Sequence, residues 1–173
     1  MGGAISVVRT NRHRTGFDGN YYASAGNRLL IISTAVSTHS GSDAIWRRGL
    51  PAHADALATL RRLFPGVPET YLSFLAAEDG SEGDLGVAPG WISFWPAAAV
   101  AQQNSLHGLA LFLPGFVGFA STGDGELFAF DSRGTSWRIC IVPFFPMDES
   151  NVVEIVPDFD FLARAFGRTV PAG

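Results

Sequence analysis

Between Phe116 and Asp131 the chain carries two short apolar runs, Phe116 to Ala120 and Glu126 to Asp131, split by Ser121-Thr-Gly-Asp-Gly125. Glycine enters positive φ without steric cost, and Ser and Asp side chains bond back to nearby backbone. The five residues therefore predict a hairpin turn. In the second strand Phe128 and Phe130 fall on one face, Leu127 and Ala129 on the other. Apolar residues on both faces call for a strand near the middle of a sheet, covered on at least one side.

The flanking sequence supplies that cover. Leu57, Leu60 and Phe64 recur at helical spacing after Pro51, and Pro65 stops the run. Pro68 and Glu69 open a second helix with Tyr71, Leu72 and Leu75 on one stripe and Phe74 beside it, ending at Gly80. Glu78 to Asp84 then holds four carboxylates and two glycines and reads as an acidic loop. Trp91 to Trp95 predicts a strand, with Trp91, Ser93 and Trp95 on one face, and Pro96 starts a short helix over Ala97 to Gln103 closed by Asn104 and Ser105. After the hairpin come a strand over Trp137 to Val142, an irregular Pro-rich connection and a strand over Val152 to Val156. A last helix is lined by Phe159, Leu162 and Phe166, with Asp158 and Asp160 at its start and Gly167 as its stop.

The charge is unevenly placed. Residues 1–50 hold six Arg against Asp18 and Asp43, and residues 51–173 hold six Arg against fourteen Asp and Glu. The first fifty residues lack a sustained period and read as a poorly structured basic extension; the alternative is a basic arm that contacts an acidic surface. The domain is expected over residues 51–168, with 169–173 a frayed tail. Its acidity should repel nucleic acid and attract a basic partner. The longest apolar run, Leu109 to Ala120, is too short for a membrane span and contains Pro114, Gly115 and Gly118. With no hydrophobic signal region in view, the expected location is cytoplasmic.

Catalytic motifs do not emerge. There is no Gly-x-Ser-x-Gly elbow, phosphate loop or His-Glu-x-x-His. Counting a calcium loop from Asp79 puts Gly90 where a bidentate Glu belongs, so no metal site is expected. Cys140 is the one cysteine and reads as a buried, inert thiol. Asp124 and Glu126 form a carboxylate pair that, with His107, would suit a small hydrolase, but Asp124 and its neighbours are explained by the turn. No catalytic residue and no cofactor is assigned. What remains is a set of carboxylates interleaved with aromatics: Asp79, Glu82 and Asp84, Trp91 and Trp95, Asp124 and Glu126. Aromatic anchors among charges suit protein recognition; the competing reading puts Trp91 and Trp95 in the core.

The order of these features resembles the SUKH superfamily, in its SMI/KNR-type branch. That pattern has a Pro followed by an aromatic-rich helix ending in Asp-Gly, matched by Pro68, Tyr71, Phe74, Leu75, Asp79 and Gly80. Its aromatic-Pro step before a short helix is matched by Phe94, Trp95 and Pro96. Its glycine-rich stretch is matched by Phe119, Gly123, Gly125, Leu127, Phe128 and Asp131, and its closing helix by Phe159, Leu162 and Phe166. The resemblance covers about residues 52–167; Ala120-Ser-Thr before Gly123 and the Phe145-Pro146 connection depart from it. It implies an α+β fold, a single domain with a curved, mainly antiparallel sheet packed with helices, and no catalysis. Bacterial members look like immunity proteins that bind and neutralise polymorphic toxins, often nucleases. Fungal relatives regulate cell-wall synthesis through protein contacts. The expected partner is therefore a cognate, basic toxin domain, bound without nucleic acid or membrane; the alternative is a regulatory scaffold.

Overall fold

A computed structural model describes residues 45–85 and 89–165. Among the described residues seven strands form one antiparallel sheet in sequence order: β1 (Trp46–Arg47), β2 (Glu82–Asp84), β3 (Trp91–Phe94), β4 (Phe116–Ser121), β5 (Glu126–Asp131), β6 (Arg138–Pro143) and β7 (Val153–Val156). The helices are α1 (Ala54–Leu63), α2 (Glu69–Glu78), α3 (Val100–Leu106), α4 (Leu109–Phe112) and α5 (Phe159–Ala165). The sheet does not close on itself, and the described residues form a single-domain α+β fold. Residues 1–44 of the expected extension, Phe166, the stop at Gly167 and the tail lie outside the described residues.

The hairpin forms where the turn residues demand it. Gly123 and Gly125 take φ of 87° and 89°, a region that L side chains rarely adopt. Thr122 donates its backbone N–H to Glu126 and accepts the Asp124 N–H at its hydroxyl. The register slips between Gly118 and Ala120, so Phe119 is the extra residue of a bulge. Its ring lies 4.3 Å from Phe130 and 6.1 Å from Phe128, centroid to centroid. The bulge thus adds a third aromatic ring to the face that already carries two.

Helices α2 and α5 cover that face through aromatic contacts. Tyr71 sits 5.5 Å from Phe119, 5.3 Å from Phe130 and 5.2 Å from Phe159, all within the range where tilted and edge-to-face rings attract. The Tyr71 hydroxyl is fully buried and has no hydrogen-bond partner; burial drives its pKa far above the ordinary phenol value. A buried hydroxyl left unpaired costs more than the methine that would replace it. Tyr71→Phe should therefore raise stability by about 1 kcal/mol in urea denaturation. A comparable loss would mean that the hydroxyl is bonded in solution.

The reverse face is equally dry at its centre: Leu127, Ala129 and Val142 have no solvent exposure. Gly118, opposite Ala129, lets Trp95 and Leu109 close over this side. A methyl group at residue 118 would stand 2.9 Å from the Trp95 ring, tighter than packing allows. Trp95 still donates its N–H to the Phe119 carbonyl at 2.9 Å; beyond it the chain leaves β4, and Asn104 of α3 takes over as the neighbour of its edge. The Asn104 amide donates to the Gly118 carbonyl and accepts the Gly118 N–H, each at 2.8 Å.

Three expectations change. Residues 46–50 belong to the domain rather than to a poorly structured extension. Trp46 pairs opposite Gly83 and its indole donates to Glu78 at 2.9 Å, while Leu50 accepts the Asp79 N–H. The acidic loop contains a strand, β2, because β3 offers a free edge to Glu82–Asp84 and Gly83 leaves room for the Trp46 ring. The short helix runs on through Leu106, and Asn104 lies inside it, bonded back to the Val100 carbonyl at 2.8 Å.

Candidate functional site

The register across the sheet sorts the seven acidic and aromatic candidates. Glu82 pairs with Ser93, Ser93 with Ser121, Ser121 with Leu127 and Leu127 with Val142, so these five share one row and one face. Asp84 and Trp91 form a pair two residues beyond the Glu82–Ser93 row, on the same face and toward the same end as the 122–125 turn. Glu126 neighbours Leu127 and pairs with Pro143, so it projects from the opposite face. Glu82, Asp84, Trp91, Asp124 and Glu126 therefore gather at one end of the sheet but not on one face, whereas Trp95 follows β3 at its other end and Asp79 caps α2. Three strand spacings, about 14 Å, separate β2 from β5.

Their chemistry differs as much as their positions. Asp79 accepts the Ala97 N–H at 2.7 Å and ties the end of α2 to the segment entering α3. Burial raises its pKa, while the Ala97 and Gly80 N–H groups pull it down. Its work is structural. Glu82 is held by Arg47 at 2.8 Å and by the Ser93 hydroxyl at 3.4 Å. Trp95 is only 8 % exposed, under Gly118's strand and against the His107 ring at 5.7 Å, so the core reading replaces the anchor reading for it. Trp91 is half-buried and Asp84 exposed.

Asp124 and Glu126 are a different case. Neither carboxylate has an ion pair among the described residues. Burial first and the neighbouring Asp124 second raise the Glu126 pKa. Burial removes water from the carboxylate and Asp124 adds a like charge beside it. Glu126 lines an open groove of about 310 Å³ together with Ile141, Pro143, Phe145, Pro146, Asn151 and Val153. Phe145 is 92 % exposed, the largest value among the described large apolar side chains. Composition gave no reason to choose this phenylalanine among fourteen. The available signal was its place between Pro143 and Pro146, in a connection with neither strand nor helix period.

Other groups with reactive chemistry are occupied elsewhere. His107 stacks between Trp95 and Phe144, the latter at 4.5 Å, and burial lowers its pKa. No hydrogen bond or ion pair connects it to Asp124 or Glu126. The Cys140 thiol is buried, which pushes its pKa up to about 12 and leaves almost no thiolate at neutral pH. Asp131, 3 % exposed, is the acceptor of a network with Arg133 and Arg138, which also reach Glu149 and Glu154. Among the described residues no three His, Cys, Asp or Glu side chains are grouped to hold a metal ion, and no helix is long and apolar enough to cross a membrane. No family model matches the chain, and no curated protein matches it either.

Proposed function

We propose that this chain is a non-enzymatic protein-binding domain acting in the cytoplasm, an immunity protein of the SUKH kind that its motifs resemble. It neutralises a basic toxin domain, with a nuclease as the leading class. The observation that carries the reading is Glu126, which shares a groove with the exposed Phe145 and, like its neighbour Asp124, has no cation partner among the described residues. A toxin that handles nucleic acid presents a positive groove to phosphate, and an acidic protein surface can occupy the same groove.

The test is to express the C-terminal domain encoded immediately upstream of this gene and measure both binding and relief of its toxicity. Tight binding with rescue is expected. Association should slow by roughly tenfold or more between low and high salt, because screening removes the steering between an acidic and a basic surface. A salt-independent rate would discard the electrostatic mechanism, and absence of both binding and rescue would discard the immunity role.

One observation favours the regulatory scaffold as a second reading. Leu106, Leu111 and Phe112 expose more than half of their surfaces on neighbouring turns of α3 and α4. A cellular partner that covered this apolar surface would need no basic groove.

A further inference from the structure

The groove between Glu126 and Phe145 has two kinds of wall. Ile141, Pro143, Phe145, Pro146 and Val153 are apolar, whereas Glu126 and Asn151 carry oxygen acceptors. A wholly apolar occupant would bury the Glu126 carboxylate without a partner, and an anion would be repelled by Glu126 and Asp124 together. The side chain that fits both walls has an apolar stem and a cationic head. At about 310 Å³ and open to solvent, the groove lies at the lower limit of small-molecule pockets, roughly 300–1,000 Å³. Its scale is that of one side chain rather than a cofactor.

Arginine suits it better than lysine. A guanidinium lies flat on an aromatic ring and offers a fork of N–H donors to a carboxylate, whereas an ammonium is a strongly hydrated point charge. This protein builds the same arrangement once from its own residues. The Arg133 guanidinium carbon lies 4.5 Å from the Phe116 ring centroid, while its Nε and Nη2 donate to Asp131 at 2.9 and 3.1 Å. At the groove, Phe145 and Glu126 provide the ring and the carboxylate, and no arginine of the described chain fills the third place. Asn151 donates its amide to the Pro146 carbonyl at 3.4 Å, which leaves its Oδ1 to accept a further N–H.

We infer that the groove is the anchor site for a single arginine side chain of a basic protein partner, with Glu126 and Asn151 accepting from the guanidinium and Phe145 stacking on it. The inference deepens the protein-binding reading and rests on it for the source of the arginine.

The experiment uses the full chain, isotope-labelled, and a capped five-residue peptide of glycines with a central arginine, followed by amide chemical shifts. Saturable shifts are expected at Gly125, Glu126, Phe145 and Asn151, with a Kd on the order of 1 mM for one exposed contact. The same peptide with citrulline, which keeps the shape and removes the charge, should bind at least about tenfold more weakly. Glu126→Gln and Phe145→Ala should each weaken the arginine peptide roughly three- to tenfold, with the Tm of either variant unchanged. Equal shifts with citrulline, no loss in Glu126→Gln, no saturable shift at all, or shifts centred on Glu82 and Asp84 would each overturn the inference. No toxin enters this titration. Failure here with toxin binding intact removes only the anchor, whereas a toxin that neither binds nor is neutralised removes the immunity reading and leaves an arginine response standing.

Discussion

Asn104→Asp should lower stability by about 3–5 kcal/mol at neutral pH. Asn104 is 9 % exposed and makes three hydrogen bonds of 2.8 Å: two donated from Nδ2 to the Val100 and Gly118 carbonyls, and one accepted at Oδ1 from the Gly118 N–H. A carboxylate keeps the acceptor and loses both donors. Two carbonyl oxygens would then face a negatively charged oxygen in a site closed to water, and each unpaired buried group costs about 1–3 kcal/mol. The buried carboxyl would have a raised pKa in the folded state and an ordinary one, about 4, when unfolded. The folded variant therefore holds its proton to higher pH, and its deficit should shrink as pH falls toward that range, where the protonated acid regains one donor. Urea denaturation of the two chains at neutral and acidic pH measures this. A deficit below 1 kcal/mol at neutral pH would show that α3 does not serve as the neighbour of the β4 edge.

The second large effect concerns Asp131. Its Oδ1 accepts the Arg133 backbone N–H at 3.1 Å and Nε at 2.9 Å; its Oδ2 accepts Arg133 Nη2 at 3.1 Å and Arg138 Nη2 at 3.3 Å. The Arg133 hydrogen bond, more than any other cause, holds the Asp131 carboxyl below the usual carboxylate range. Asp131→Ala leaves two guanidinium groups with only Glu149 and Glu154 as partners. Breaking a fully buried pair costs about 3–5 kcal/mol. Both arginines are 43 % exposed and can turn to water, so about 2–3 kcal/mol is expected here. A depressed folded pKa means that the unfolded chain binds the proton first. The contribution is fully present above the unfolded value of about 4 and is lost as pH falls through the folded value. Wild type and Asp131→Ala should therefore differ at neutral pH and converge in acid. A gap that stays constant with pH would assign the loss to packing against Phe116 rather than to charge.

Much of the fold was legible because local chemistry and tertiary demand agree. The β4–β5 hairpin follows from Gly123 and Gly125 at positive φ between two apolar runs, and its strands end where those glycines begin. Helices α1 and α2 are bounded by Pro65 and Pro68, whose rings no helix interior accepts. The hidden elements carry little pattern of their own. Two residues cannot show a period, so β1 is invisible, and Glu82-Gly-Asp84 looks like a solvated loop until β3 presents it with backbone partners. Asn104 reads as a helix terminator because Asn competes for backbone bonds; inside α3 it uses that capacity to bind the edge of β4.

The candidate site divides along the same line. Chain order is enough to show that the domain is acidic, that it is rich in aromatics and that Asp124 and Glu126 flank a glycine turn, since these are properties of composition and near neighbours. Which carboxylates are spoken for depends on the folded arrangement. Glu82 meets Arg47 from 35 residues earlier, Asp79 meets the Ala97 N–H from 18 residues later, and Trp95 disappears over a glycine on another strand. Asp124 and Glu126 are left without cations among the described residues, and Glu126 shares its groove with a phenylalanine from a different connection. Ion pairing and burial act through space over a few ångströms, and the pairing of the strands sets those distances, so the chain order alone does not contain them.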